Sequence, residues 1–552
     1  MPVVQKFAIL AVCVAAAWVF DVAAAPKTVC TITVNSPDEK EAFQRHLPRD
    51  EYTFVELVAR GQPDWLASAC RQGVTCDALI VSGHFDGGTE FYTDRLDARE
   101  FLAVAELERA SCSSSCPGLF AQLKEVYLFG CNTLNAEAMR SASTEIARSL
   151  IRAGHSPTDA ERLSATLGER HGESNRDRLR HVFKDVPVLY GFSSKAPLGR
   201  TAGPLLDRHF QTAPPGEVAS GRVSAKLVSL FAPSSMTVAA GLTDSDPHAG
   251  FRRDVCHFSD DRLSDAQKLT FVHEVLRRDT AEVRMFLDHL ERYAASIGPA
   301  QRAAPTAIAV LDAIADDGLA RERYLGFARD ADQPAVRTRM MALARSFGWL
   351  SPAEEHTEFL STIADQMARN DVGSAEVDLV CGHLRKDDAG SALPRLPAGT
   401  AQTRKVAHSA VLACLGSAEG HTRTVRALTS TNDDDVAIAQ IYLRHRPLAG
   451  VGELRAVAAG IAHMTVTNAQ VRALDTLAQQ RLSDPESLQE IARLFPRARS
   501  VNVQRAIAGV LIRSDYQMLA RADLAHSLRR HRLKSPDGED VIDALIRRLQ
   551  MP

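Results

Sequence analysis

The 552-residue chain has no excess of charge of either sign. Its 65 lysines and arginines are balanced by 68 aspartates and glutamates, for a formal net charge of −3. That balance removes the electrostatic footprint of a nucleic-acid binder or a polybasic membrane patch. Arginine-rich stretches late in the chain are interleaved with acids and read as solvated helix faces. Several chemical signatures are also missing. There is no His-Glu-x-x-His, no Walker A sequence, no Gly-x-Gly-x-x-Gly opening a helix and no Gly-x-Ser-x-Gly elbow. Gly83-His84-Phe85-Asp86-Gly87-Gly88 lacks the Lys-Ser/Thr end of a phosphate loop. These absences set aside the zinc-peptidase, P-loop, dinucleotide-dependent and commonest serine-hydrolase readings. The N-terminal apolar run, Phe7 to Phe20, falls short of a usual membrane span.

That run follows Lys6 and precedes Ala23, Ala24 and Ala25, which offer a small-residue cleavage site. Residues 1–25 therefore read as a secretory signal peptide without a twin-arginine pair, with an uncleaved anchor as the alternative. The expected location is secreted or periplasmic, with no integral membrane segment after signal removal. Of ten cysteines, Cys13 leaves with the signal, and an odd set remains: Cys30, Cys70, Cys76, Cys112, Cys116, Cys131, Cys256, Cys381 and Cys414. In an oxidising compartment at least one must stay unpaired. Cys70 with Cys76, and Cys112 with Cys116, are near enough in sequence to staple loops. Neither spacing carries the neighbouring histidines of a zinc site, so no metal is expected. Cys131 is the natural candidate for the free thiol.

Residues 27–250 alternate strand-like and helix-like stretches. Strands are expected at 28–36, 52–58, 77–83, 125–130 and 186–194, with helices between them. The 77–83 and 125–130 runs are almost wholly apolar, as strands covered by helices on both faces are. The expectation is an α/β domain with a mostly parallel sheet sandwiched by helices. A long helix is expected directly after Cys131. From 255 to 552 the strand signals fade into successive amphipathic helical stretches. Val336, Val406, Val436, Val471 and Val503 open similar segments, with Val377 in the wide first gap. The steps average roughly a third of a hundred residues, in the range of helical-pair repeats. This half resembles HEAT or armadillo-type repeats and is expected to be an all-α, solenoid-like domain.

Two apolar runs end in the same grammar. Ala78-Leu-Ile-Val-Ser-Gly leads to His84, and Val126-Tyr-Leu-Phe-Gly leads to Cys131. In parallel sheets, sites form at the carboxyl ends of strands. A thiol there can be deprotonated by an imidazole, attack an acyl carbon and pass the proton to the leaving amine. A helix beginning at Cys131 would favour negative charge on its sulfur.

A strand ending in Ser-Gly-His, followed about fifty residues later by one ending in Phe-Gly-Cys, resembles the caspase-like (clan CD) cysteine peptidases. The Gln-Ala-Cys-x-Gly motif of true caspases is absent, and Cys131-Asn132-Thr133 is closer to the CHAT-type bacterial members. The resemblance covers roughly residues 28–200. It implies Cys131 as nucleophile and His84 as general acid/base. The backbone N–H groups of Phe85 and Cys131 would serve the oxyanion, although the family commonly has glycine where Phe85 stands. Asp86 could hydrogen-bond the imidazole, but a loop-capping role fits it better. The loop 191–199 is expected near the substrate: Lys195 would favour an acidic side chain and Ser193 and Ser194 a polar one, whereas Asp94 would favour a basic one. No cofactor is implied.

The leading expectation is a secreted or periplasmic cysteine endopeptidase acting on protein or peptide. Its helical repeats would hold a protein partner or substrate. A second reading is a catalytically inactive caspase-like scaffold whose repeats are the binding module. A third is an acyl hydrolase or transferase using the same dyad.

Overall fold

The computed structural model describes residues 25–57, 66–85, 88–93, 101–113, 116, 118–140, 143–171, 173–212, 215–384, 405–515, 519–534 and 541–550. The chain folds as an α/β part followed by a long all-helical part. It divides into two compact units. One comprises Met1–Ser141 and Gly168–Phe271, the other Ala142–Leu167 and Val272–Pro552. The helical unit therefore takes in a segment that the sequence pattern assigned to the α/β part.

In chain order the elements of the first half are β1 (Lys27–Thr33), α1 (Asp38–His46), β2 (Tyr52–Glu56), α2 (Ala67–Arg71) and β3 (Ala78–Ser82). A hairpin of β4 (Glu90–Tyr92) and β5 (Phe101–Ala103) precedes α3 (Val104–Cys112) and β6 (Glu125–Phe129). Then come β7 (Ala138–Arg140), α4 (Ser143–Arg152), α5 (Pro157–His171), β8 (Glu173–Ser174), α6 (Asn175–Val182) and β9 (Val188–Phe192). The series ends with α7 (Gly199–Phe210), α8 (Ala225–Phe231), β10 (Met236–Ala239) and α9 (Ala249–Ser259). Six strands form one sheet in the order β2-β1-β3-β6-β9-β10. All neighbours are parallel except β10, which runs antiparallel to β9.

The strands are apolar because both faces are covered. Alternate residues point to opposite sides. Leu79, Val81, Val126 and Leu128 enter a core with Leu107 of α3 and Leu179 of α6. Ala78, Ile80, Tyr127 and Phe129 enter a second core with Phe43 of α1, Leu206 of α7 and Phe231 of α8. One buried acid interrupts the pattern. Glu125, at the start of β6, accepts hydrogen bonds from the backbone N–H groups of Ala219, Ser220 and Gly221 and from the Tyr127 hydroxyl. It fastens the loop before α8 to the sheet.

Among the described residues four disulfides close: Cys30–Cys76, Cys70–Cys116, Cys112–Cys256 and Cys381–Cys414. None is one of the short pairs suggested by sequence proximity. Cys30 lies on β1, and Cys76 enters the neighbouring β3, so strand pairing rather than loop length brings those two together. Four disulfides fit an oxidising extracellular or periplasmic compartment. Among the described residues no helix is long and apolar enough to cross a membrane.

In the helical unit, the valine-led segments become the helices Pro334–Ser346, Ser374–His383, Val406–Cys414, Asp433–His445, Thr467–Gln479 and Val501–Arg513. Each packs on the next in the series. Val336, Val377, Val436 and Val503 are buried, while Val406 and Val471 are partly so. A recurring polar device marks the repeat. Gln470 donates to the Ile461 carbonyl, and Gln504 donates to the Phe495 carbonyl, each nine residues back in the chain. The helix Pro352–Ala368 opens with a capping box. Ser351 Oγ accepts the Glu354 N–H, and the Glu354 carboxylate accepts the Ser351 N–H.

Candidate functional site

The site lies where β3 and β6 run out side by side. Their last registered pair is Ser82 with Phe129, and Gly83 N–H still donates to the Phe129 carbonyl at 3.1 Å. Adjacent strands lie about 4.8 Å apart. His84 and Cys131 are thus each two residues beyond a paired row on neighbouring strands. Gly130 shows how close the two exits come. A Cβ there would meet Phe85 Cβ at 2.8 Å and the Gly83 carbonyl oxygen at 2.9 Å, so only glycine fits.

His84 is half-buried, and its backbone is locked to β4 by a reciprocal pair of hydrogen bonds with Tyr92, each 2.9 Å. Its ring lies 5.4 Å from the Tyr92 ring. Phe85 turns its side chain fully into the core, 4.6 Å from the Phe91 ring. That burial anchors the strand exit where a smaller residue would leave it loose. Among the described residues, neither the Phe85 nor the Cys131 backbone N–H donates a hydrogen bond.

Cys131 is half-buried and is the unpaired cysteine among the described residues. The expected helix does not begin at it. Residues 131–134 form a turn, β7 follows, and α4 starts only at Ser143. The cause is local. Asn132 adopts φ 59°, and its N–H donates to the Ser194 carbonyl at 2.6 Å. Thr133 Oγ1 donates to the Gly130 carbonyl and accepts the Phe192 N–H, and Leu134 N–H donates to the Phe192 carbonyl. The chain after Cys131 is pinned to the end of β9 and cannot coil. The sulfur receives a loop N–H instead of a helix terminus: Ala196 N–H donates to Cys131 Sγ at 3.4 Å.

That donor comes from the loop expected to adjoin the site. Ser193, Ser194 and Lys195 are exposed there. Ser193 N–H donates to the Ser235 carbonyl, and Ser194 N–H to Ser235 Oγ, so the turn before β10 holds this loop beside the cysteine. Sequence reasoning missed that support because it did not expect β10. Asp86 and Asp94 lie outside the described residues.

A second group was not anticipated. Glu39 of α1 is buried at the end of β3, where it accepts the Ser82 hydroxyl hydrogen bond at 2.9 Å. Burial pushes its carboxyl up to about 7. Ser82 Oγ also lies 3.0 Å from the Ser36 carbonyl, at the exit of β1. The direction of strand addition reverses between β1 and β3, the usual place for a crevice in open α/β sheets. No motif spacing marks Glu39; only its position beneath the strand end does.

Chemically, the arrangement combines a thiol that receives an N–H, an imidazole on the adjoining strand exit and two unengaged backbone N–H groups. Among the described residues no cluster of three or more His, Cys, Asp or Glu is arranged to hold a metal ion. No protein-family model matches the chain, and no curated protein matches it.

Proposed function

We propose that this protein is a cysteine endopeptidase of an oxidising compartment. Cys131 is the nucleophile, and His84 is the general acid/base. The observation that carries the reading is the exception among the cysteines. Eight described cysteines are joined in disulfides, while Cys131 stays a thiol at a strand end beside the His84 exit. His84 takes the thiol proton, the thiolate attacks the peptide carbonyl, and the imidazolium returns the proton to the departing amine. Water then releases the acyl group by the same acid/base exchange. The Phe85 and Cys131 N–H groups receive the oxyanion. The resemblance to caspase-like peptidases, CHAT-type members above all, supports the assignment of roles. The loop 193–196 carries substrate, and the helical unit holds a protein partner or the substrate chain.

The inactive-scaffold reading is favoured by one feature, Phe85, which stands where the family commonly has glycine. The test is alkylation of the purified protein by iodoacetamide across pH, with modified peptides identified by mass spectrometry. Wild type is expected to react selectively at Cys131 at about pH 6, and His84→Ala to lose that reactivity. Cleavage of a peptide library, absent in Cys131→Ala, then separates peptidase from acyl transferase. An unreactive Cys131 in the folded protein would remove the enzymatic reading and leave the helical unit as the functional part.

A further inference from the structure

The first turn of α6 grips both strand exits. Ser174 caps the helix, its Oγ accepting the Asp177 N–H at 3.0 Å. Three of the next four residues then reach outward. Asn175 Nδ2 donates to the Asn132 carbonyl at 3.0 Å. Arg176 N–H donates to the Asn135 carbonyl at 3.0 Å. Arg178 Nη1 donates to the Gly88 carbonyl at 3.1 Å. Asn132 and Asn135 belong to the turn after Cys131, and Gly88 to the loop after His84. Asn175 touches both, because its Oδ1 lies so near Gly88 that a Cβ there would stand 2.2 Å from it. Gly88 accommodates this with φ +71°.

We infer that Asn175 is a positioning residue that holds the Cys131 turn in register with the His84 loop; the inference rests on the dyad reading above. The need for it lies in Asn132. Asparagine tolerates positive φ better than other non-glycine residues, yet the conformation is still the minor one and is held here by its surroundings. Asn132 is fixed on both sides of its backbone: its N–H by the Ser194 carbonyl, and its carbonyl by the local Asn135 N–H at 3.2 Å and, from outside the turn, by Asn175 at 3.0 Å. Without Asn175 the carbonyl keeps only the Asn135 bond inside its own segment, so nothing ties it to α6, and the turn can shift together with its covalent neighbour, Cys131. Asn175 is itself 4% exposed, so its amide is committed to this contact rather than to water. A displacement of about 1 Å between reacting groups is enough to lower a rate about a hundredfold.

The experiment measures the iodoacetamide rate at Cys131 as a function of pH in wild type, His84→Ala, Asn175→Ala and Asn175→Asp. Asn175→Asp keeps the volume, replaces the donor to Asn132 with an acceptor and adds a negative charge, so Asn175→Ala is the neutral control for the charge. Near-UV circular dichroism and intact disulfides report the fold. Both Asn175 variants are expected to lose about ten- to a hundredfold of the His84-dependent rate near pH 6, with the inflection rising towards that of an ordinary thiol. Arg178→Lys should move the profile in the same direction by less. If wild type shows no His84-dependent reactivity, the dyad reading falls and takes this inference with it. If wild type shows it and Asn175→Asp retains rate and inflection within about twofold, Asn175 is only a packing residue. Should Asn175→Ala fail to fold, Asn175→Asp decides alone. Should that also fail, an unchanged profile in folded Arg178→Lys overturns the inference.

Discussion

The two units solve different problems with the same chain. In the α/β unit the important contacts are distant in sequence. β3 pairs with β6, the turn after Cys131 is tied to Ser194, and Cys112 is joined to Cys256 across 144 residues. In the helical unit the series from Pro334–Ser346 to Val501–Arg513 rests each helix on one nearby in the chain, with α4 joining from far upstream, and the one disulfide among its described residues spans 33 residues. Long-range closure holds reactive groups in a single geometry. Near-neighbour stacking yields an extended surface whose stability is a sum of local terms. The difference matches the division of labour proposed above, with the dyad where many remote segments converge and partner binding on the stacked helices.

The largest effect that would sharpen this contrast comes from the disulfides. In the chain-entropy account, replacing Cys112 and Cys256 by serine destabilises the α/β unit by about 5 kcal/mol, and replacing Cys381 and Cys414 destabilises the helical unit by about 4 kcal/mol. Calorimetry should show each change in one transition and leave the other in place. A single transition that moves for both pairs would break the comparison.

Next comes Trp349, fully buried, with its indole N–H donating to the Ile314 carbonyl at 2.7 Å. Trp349→Ala should weaken the helical unit by about 3–5 kcal/mol in urea. The iodoacetamide profile of Cys131 should be unchanged where the variant remains folded. A shifted profile would mean that the stack governs the thiol.

A smaller and pH-dependent effect is expected at Glu39. Burial raises its carboxyl from 4.5 to about 7 in the folded protein. The folded state therefore holds this proton more tightly than the unfolded chain does. Its contribution is complete below about pH 4.5 and is lost as pH rises through about 7. Glu39→Gln should stabilise the α/β unit at pH 8 by roughly 2 kcal/mol and have little effect at pH 4. Equal effects at both pH values would show that folding does not shift this carboxyl. His181 in the same unit is held down to about 4 by burial and by His248, and acts in the opposite sense. For that reason the test is the variant difference rather than the raw profile.

The smallest effect concerns His408 in the helical unit, which is fully buried and whose imidazole is lowered by burial. Protonation then favours the unfolded chain, so its contribution is lost as pH falls below the ordinary histidine value of about 6.5. His408→Leu should flatten the acid side of the helical unit's stability curve, followed by Trp349 fluorescence. An unchanged acid slope would remove His408 from that account.

Much of the architecture could be read before any coordinates. The expected strands at 52–58, 77–83 and 125–130 appear as Tyr52–Glu56, Ala78–Ser82 and Glu125–Phe129, because an apolar run of that length has few other places to go. The valine-led segments do become successive helices, with Val336, Val377, Val436 and Val503 buried and Val406 and Val471 partly so. The helix expected directly after Cys131 was wrong for a reason no local pattern carries. Its residues have adequate helix propensity, but Ser194, Phe192 and Thr133 offer their first turn better hydrogen bonds. Residues 142–167 look like one more crossover of the α/β pattern, yet they are part of the helical unit.

The chain's own pattern decides that there is a parallel sheet, that helices follow it, and that a histidine and a cysteine end two of its strands. Periodicity and composition act over a few residues, and these features need nothing more. Which cysteine remains a thiol, what donates to its sulfur, and how Asn175 comes to touch the loops of both His84 and Cys131 depend on segments tens of residues apart. Those were settled only when the sheet closed, because hydrogen bonds and disulfides form between groups that folding brings within a few ångströms, whatever their separation along the chain.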